Sequence, residues 1–206
     1  VQECENVMRK SVGLNDYQAL SAYIDIPSFV GKYLVEEVSK NIDSSATSQY
    51  FYKDRDGLLY AGPVWDYDWA YGVERIQEEI DYTDPEGFSA RDIPGSLIWW
   101  QLLYYNNAFY EDVVTMYENV LYPWLNELVE TGLNQWAQEL SASAVMDYLR
   151  WDRAASETDT AASDDTSASD DAASSPVQKA YQAYQEQVEQ VRSFLSVRKE
   201  FLYREW

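Results

Sequence analysis

The alternation of apolar and polar positions divides the chain into a helical front, a short β region and a longer helical remainder. From Val1 to Ala22 the apolar residues Val7, Met8, Val12, Leu14, Tyr17 and Leu20 keep a loose helical spacing broken by Gly13 and Asn15, which predicts one or two short helices. A sharper stripe follows. Ile26, Phe29, Val30, Tyr33, Leu34 and Val38 recur at three- and four-residue steps, with Asp25 placed as a cap and Pro27 in the first turn. This predicts a helix with one face on a core, ending near Lys40 and Asn41, before a polar run from Asp43 to Ser48 that reads as an ordered loop. Two β-prone runs, Gln49 to Lys53 and Leu58 to Ala61, flank Asp54-Arg55-Asp56-Gly57, the pattern of a hairpin with Gly57 where a positive φ is wanted.

The chain turns helical again from Ser96, with Leu97, Ile98, Trp100, Leu103 and Tyr104 on one face. A second helix is expected around Asp112 to Val129, interrupted at Pro123, and a third from Leu133 to Leu149. Residues 154–175 are almost wholly Ala, Ser, Thr, Asp and Glu and cannot bury enough surface to offset ordering, so they are expected to form a flexible acidic insertion. Val177 to Trp206 returns to helical spacing and is expected to pack back on the core. The fold class expected is α+β, predominantly α-helical, in a single domain of 206 residues.

Composition narrows the chemistry. The 15 Lys and Arg against 36 Asp and Glu give a formal charge of -21, the wrong sign for gripping phosphate backbones or anionic lipid, so nucleic acid and membrane surfaces are not expected partners. No apolar run approaches the ~20 residues of a bilayer span, and Val1 opens no signal-peptide pattern, so the chain reads as a mature soluble piece. Histidine is absent, which removes imidazole bases, Ser-His-Asp catalysis and His-ligated zinc. The single cysteine, Cys4, has no partner for a disulfide and sits between Glu3 and Glu5, whose charge disfavours a thiolate. Chemistry is left to carboxylates, amines, hydroxyls or an oxygen-held metal. High acidity with one cysteine suits a secreted or surface protein of a Gram-positive bacterium.

Within these limits the notable acids lie on loops beside strand ends. Asp43 opens the loop after the capped helix, and Asp66 and Asp68 follow the second hairpin strand. With Gln49 they offer the carboxylate and amide oxygens that Mg²⁺ or Mn²⁺ prefers. The order matches a phosphoryl-transfer arrangement: one Asp accepting the nucleophile's proton, an amide a few residues on holding metal, and a second Asp after the next hairpin joining metal to nucleotide phosphates. Asp43, Gln49 and Asp66 fill those places, and the competing reading is that Asp43 caps a turn and Asp66 and Asp68 are ordinary loop acids.

The stretch from Tyr23 to Val30, the run Tyr33-Leu34-Val35-Glu36-Glu37-Val38-Ser39-Lys40-Asn41-Ile42-Asp43, the run Tyr50 to Gly57 and the motif Gly62-Pro63-Val64-Trp65-Asp66-Tyr67-Asp68-Trp69-Ala70-Tyr71-Gly72 resemble the CotH kinase-like family, named for a spore coat protein. The likeness is strongest over residues 19–72 and is weaker in the closing helix from Val191 to Trp206. It implies a protein-kinase-like C-lobe with a small β-hairpin, extracellular or cell-surface in many members, using ATP and Mg²⁺ (or Mn²⁺) to phosphorylate a protein substrate or a surface or coat protein. By motif, Asp43 matches the catalytic-loop Asp and Asp66 the metal- and nucleotide-binding Asp. Gln49 stands at a position that is often Asn, and Asp68 at one where Asn is also accepted, which implies a supporting role in the metal site.

The eight glycines never fall as Gly-x-Gly, and of the lysines only Lys10 precedes the capped helix, so no nucleotide-clamping N-lobe is visible. The expectation is that the N-lobe lies in a further segment of the parent protein, or was lost, and that this chain alone is inactive. Two alternatives stand beside the kinase reading. The aromatic stretch Trp99, Trp100, Tyr104, Tyr105, Phe109, Tyr110, Tyr117, Tyr122 and Trp124 would serve a carbohydrate-binding module if exposed, and a structural or adhesive coat component would keep the fold without turnover.

Overall fold

A computed structural model describes residues 1–41, 47–73, 81–92, 98–151 and 175–206. The fold is α+β and predominantly helical, with one two-stranded antiparallel sheet among the described residues. Helix α1 (Gln2–Ser11) is followed by a short 3₁₀ turn at Leu20–Ala22, in line with the expected short helices. Helix α2 spans Ile26–Ser39, and the Asp25 side chain accepts from the Ser28 amide at 2.9 Å, with Pro27 in the first turn. Its apolar stripe is buried as the spacing demands. Lys32, Glu36, Glu37 and Ser39 are buried as well, so both the apolar and much of the polar surface of α2 is interior.

Strands β1 (Phe51–Lys53) and β2 (Leu59–Ala61) pair with Tyr52 opposite Tyr60. The turn between them closes with the Gly57 amide donating to the Asp54 carbonyl at 3.1 Å. Its left-handed residue is Asp56 (φ 60°), not Gly57 as the sequence suggests; a short polar side chain tolerates that conformation. The hairpin is tied to the start of α2: the Asp25 amide donates to the Leu59 carbonyl, the Leu59 amide to the Tyr23 carbonyl, and the Ala61 amide to Ser28 Oγ at 3.1 Å.

Helices α3 (Ile98–Tyr104) and α4 (Asn107–Met116) follow. On α3 Trp99, Trp100 and Leu103 are buried while Ile98 is largely exposed, a face rotated from the expected one; Leu97 lies outside the described residues. Pro123 does not interrupt the next helical run. A π-helical turn at Tyr117–Leu121 precedes α5 (Tyr122–Glu127), with the Tyr122 amide donating to the Tyr117 carbonyl. Proline lacks an amide donor and crowds the carbonyl four residues back; the wide turn supplies the room and places Pro123 near the start of α5. A second π-helical turn, Leu128–Gly132, leads to α6 (Leu133–Arg150), and α7 covers Pro176–Glu205. Ser175 and Gln178 form a capping box at its start: the Ser175 amide donates to Gln178 Oε1 at 2.8 Å and the Gln178 amide to Ser175 Oγ at 3.3 Å. Apart from Ser175, almost all of the acidic segment 154–175 lies outside the described residues.

The chain forms two compact units, one of Val1–Asn126 with Phe194–Trp206 and one of Glu127–Ser193. The core of the first is aromatic. Phe29 and Tyr33 of α2 meet Trp100 edge-on or tilted, Phe51 of β1 meets Trp99 at 5.1 Å between ring centroids, and Tyr117 meets Trp206 at 4.8 Å. Phe194, Leu195, Phe201 and Leu202 are buried too, as expected of a returning C-terminal helix. Gly72 is required where it stands: its φ is +83° and an added Cβ would lie 2.8 Å from the Phe194 ring. In the second unit α6 and α7 run antiparallel, with Tyr184 donating to the Ala137 carbonyl at 3.0 Å and Arg192 to Asn134 Oδ1 at 2.7 Å. The aromatic stretch weighed as a sugar platform is divided, with Tyr104, Tyr110 and Tyr122 part-buried. Trp99, Trp100, Phe109 and Tyr117 are buried, and only Tyr105 and Trp124 of that set are largely exposed.

Buried Asn106 joins the two ends of this core. Its Oδ1 accepts from the Phe109 amide at 3.0 Å to cap α4, and its Nδ2 donates to the carbonyls of Ser11 at 3.0 Å and Asp16 at 3.3 Å. Asn106→Ala removes the cap and the two bonds to the Ser11 and Asp16 carbonyls, so urea unfolding is expected to show a loss of about 2–4 kcal/mol. Asn106→Ser, which keeps a capping oxygen, is expected to lose less.

Candidate functional site

The C-terminal half of α2 carries two successive carboxylates, Glu36 and Glu37, neither exposed to solvent. Neighbours on an α-helix point about 100° apart, so each must find its own partners. Glu37 is met from two distant segments. The Ser89 amide donates to Oε2 at 2.8 Å, the Arg91 amide to Oε1 at 2.9 Å, and Arg198 of α7 approaches Oε2 at 3.2 Å. Arg198, itself buried, also donates to the carbonyls of Glu37, Pro85 and Gly87. Burial lifts the Glu37 carboxyl above its ordinary range, against the pull of Arg198 and the two amides. Next to it Lys40 closes α2 in a left-handed conformation (φ 48°) and donates through Nζ to the carbonyls of Asp84 and Glu86. Burial pushes its ammonium pKa down.

Glu36 gathers a different set. Its Oε1 lies 2.7 Å from Lys32 Nζ one turn earlier, accepts from Tyr67 OH at 2.6 Å and accepts from Gln49 Nε2 at 3.0 Å. Its Oε2 accepts from Asn41 Nδ2 at 3.3 Å. Burial, and then the Glu36 charge, push the Tyr67 hydroxyl pKa far above its usual value, so it stays a donor. The opposite end of the Gln49 amide is unusual: Oε1 is buried and meets no donor among the described residues.

Of the residues picked out by the sequence, Gln49 is therefore partly buried against α2. Asp66 is exposed, adopts a left-handed conformation (φ 66°) and accepts from Ser48 Oγ at 3.0 Å, which joins it to the residue before Gln49. Asp68 is exposed two residues further on. Asp43 lies outside the described residues, as does most of the loop from Asp43 to Ser48. The structure thus brings the Gln49 and Asp66 segments together at the end of α2. Among the described residues no group of three or more Cys, Asp or Glu side chains is placed to hold a metal ion. The donor set here is mixed, an amide oxygen without a donor among the described residues and an exposed carboxylate, and both are oxygen ligands of the kind Mg²⁺ takes while keeping several waters.

A family model described as CotH kinase protein matches residues 2–202. The chain belongs to the CotH kinase family. Neither the curated proteins nor the solved structures searched contain a match. Family membership makes this a kinase-like domain, and its match extends well beyond the stretch in which the motifs are recognisable by eye. Among the described residues no helix is long and apolar enough to cross a membrane.

Reading the sequence of this CotH kinase-family chain misses Glu36, Lys32 and Tyr67 as parts of the site. Lys32 and Glu36 stand one turn apart, the spacing of an ordinary surface ion pair, and nothing local says that both are buried. The usable signal was that two acids share the end of a strongly apolar helix. Arg198 is open to direct test. Arg198→Ala strands the buried Glu37 carboxylate and takes the guanidinium from the Pro85 and Gly87 carbonyls, so guanidinium unfolding is expected to show a loss of about 3–5 kcal/mol. Arg198→Lys should recover only part, because an ammonium cannot reproduce the fork that spans Glu37, Pro85 and Gly87. A loss under about 1 kcal/mol for Arg198→Ala, the scale of an exposed pair, would remove its organising role.

Proposed function

We propose that this CotH kinase-like domain performs phosphoryl transfer from ATP to a Ser or Thr hydroxyl of a protein substrate, in an extracellular, cell-surface or spore-coat setting. The observation that carries the reading is the juxtaposition of Gln49, whose amide oxygen meets no donor among the described residues, and Asp66 at the end of α2, in a chain whose family is kinase-like. Gln49 and Asp66 would hold Mg²⁺ (or Mn²⁺), with Asp68 in support. Such a cation would supply charge neutralisation for the β- and γ-phosphates, favouring departure of ADP from the γ-phosphoryl group.

The chain's own groups account for the rest. Asp66 is presented to solvent on a left-handed turn, open to an incoming ligand. Asp43, two residues beyond buried Asn41, would orient the acceptor hydroxyl and take its proton as the oxygen bonds to the γ-phosphorus and ADP leaves. A net charge of -21 repels polyphosphate, so nucleotide binding here depends on the divalent cation more steeply than in a basic kinase.

Calorimetric titration of ATP with Mg²⁺ or Mn²⁺ tests this, in the chain and in a form carrying any further segment its gene encodes. Binding is expected, with none detectable for Asp66→Ala. Asp43→Asn should retain binding and lower phosphate transfer to a Ser/Thr acceptor by about 10²–10⁴-fold. Unchanged binding in Asp66→Ala refutes the assignment. No binding in any form shifts the reading to an inactive structural or adhesive module.

A further inference from the structure

We propose that Glu36 is a positioning residue of this site: it fixes the direction of the Gln49 amide oxygen and the spacing between the Gln49 and Asp66 segments. The inference rests on the reading of Gln49 and Asp66 as cation-holding residues, and it concerns a residue that touches neither nucleotide nor acceptor in that reading. Three observations lead to it.

The first is the orientation of the Gln49 amide. A carboxylate oxygen only accepts, so the end of Gln49 facing Glu36 Oε1 at 3.0 Å must be the NH₂ group. The amide oxygen is then forced to the other side, where it is buried and lacks a donor among the described residues. A buried oxygen with no partner is disfavoured, and here the Glu36 bond holds it in that state; an oxygen-seeking cation would relieve it.

The second is convergence. The same Glu36 Oε1 accepts from Tyr67 OH at 2.6 Å, and Tyr67 directly follows Asp66. One carboxylate atom therefore anchors both segments, and the Ser48 to Asp66 bond at 3.0 Å closes the loop between them. The second oxygen accepts from Asn41, just past the end of α2, so a third position is tied to the same group.

The third is enclosure. Glu36 and Lys32 side chains are 0% and 2% exposed, and both Glu36 oxygens are taken by protein donors. Such a carboxylate cannot itself reach a ligand in solvent. It acts through what it holds, from a helix capped by Asp25 and fixed by an aromatic core.

The test uses the full chain with Mn²⁺ alone as probe, its affinity read from loss of the free-ion EPR signal, beside ¹⁵N–¹H spectra of the Gln49 side-chain amide. Glu36→Gln lets the Gln49 amide turn over, so a loss of at least about tenfold in Mn²⁺ affinity is expected together with displaced Gln49 amide resonances. Tyr67→Phe keeps both the Lys32 pair and the Gln49 bond, and covers the case in which Glu36→Gln does not fold. It should weaken Mn²⁺ by about tenfold while the Gln49 resonances stay in place. A purely structural ion pair would lower the melting temperature and leave affinity and resonances alone; wild-type affinity in either folded variant overturns the proposal. If the wild-type chain and Asp66→Ala are equally unable to bind Mn²⁺, the cation reading fails instead. The Gln49 resonances then decide the positioning claim: displaced in Glu36→Gln they uphold it, unmoved they overturn it.

Discussion

Two adjacent carboxylates withdrawn from water at the end of α2 set the terms for the surrounding structure. Removing one carboxylate from solvent costs several kcal/mol unless donors surround it, and α2 buries two in succession. Each recruits segments that no strand pairing would bring there. Glu37 draws in the amides of Ser89 and Arg91 and, across 161 positions of sequence, the guanidinium of Arg198. Glu36 draws in Gln49, Tyr67 and Asn41. With a single three-residue strand pair among the described residues, it is largely these polar contacts that fix the loops.

That division of labour explains which parts could be read beforehand. The stripe of α2, its Asp25 cap, the hairpin and the extent of α6 and α7 follow from periodicity and caps, which are local properties of the chain. The left-handed Asp56 and the π-helical turn before Pro123 escape such reading because each resolves a local conflict in one of several ways, and packing selects among them. The interior polar network escapes for a stronger reason. Helical spacing puts Glu37 on the apolar stripe, three residues after Leu34 and four after Tyr33, but marks Lys32 and Glu36 as a surface ion pair off that stripe, and only residues far away in sequence make that pair interior.

The candidate site divides in the same way. Asp66, Asp68 and Asp43 stand out through their place on loops and through likeness to the CotH kinase-like motifs, and the family match now covers nearly the whole chain. What those motifs leave out is the scaffold. Gln49 is noticeable in the sequence as an amide at a position that is often asparagine, yet its sequence context gives no hint that a buried glutamate faces its nitrogen.

That glutamate bears on the glutamine that stands at position 49. Glutamine at a position that is often asparagine adds a methylene and one more rotatable bond, and a loosely held amide oxygen makes a poor ligand because ordering it opposes binding. The extra freedom is removed here by the bond from Nε2 to Glu36, whose charge is in turn compensated by Lys32. Asparagine, being shorter, would reach less far from the same backbone position toward that carboxylate. If Gln49 holds a cation as proposed, it and the buried Lys32–Glu36 pair form one adaptation: the longer amide would be workable because a fixed acceptor aims it, and that acceptor has a lysine one turn away as its ion-pair partner.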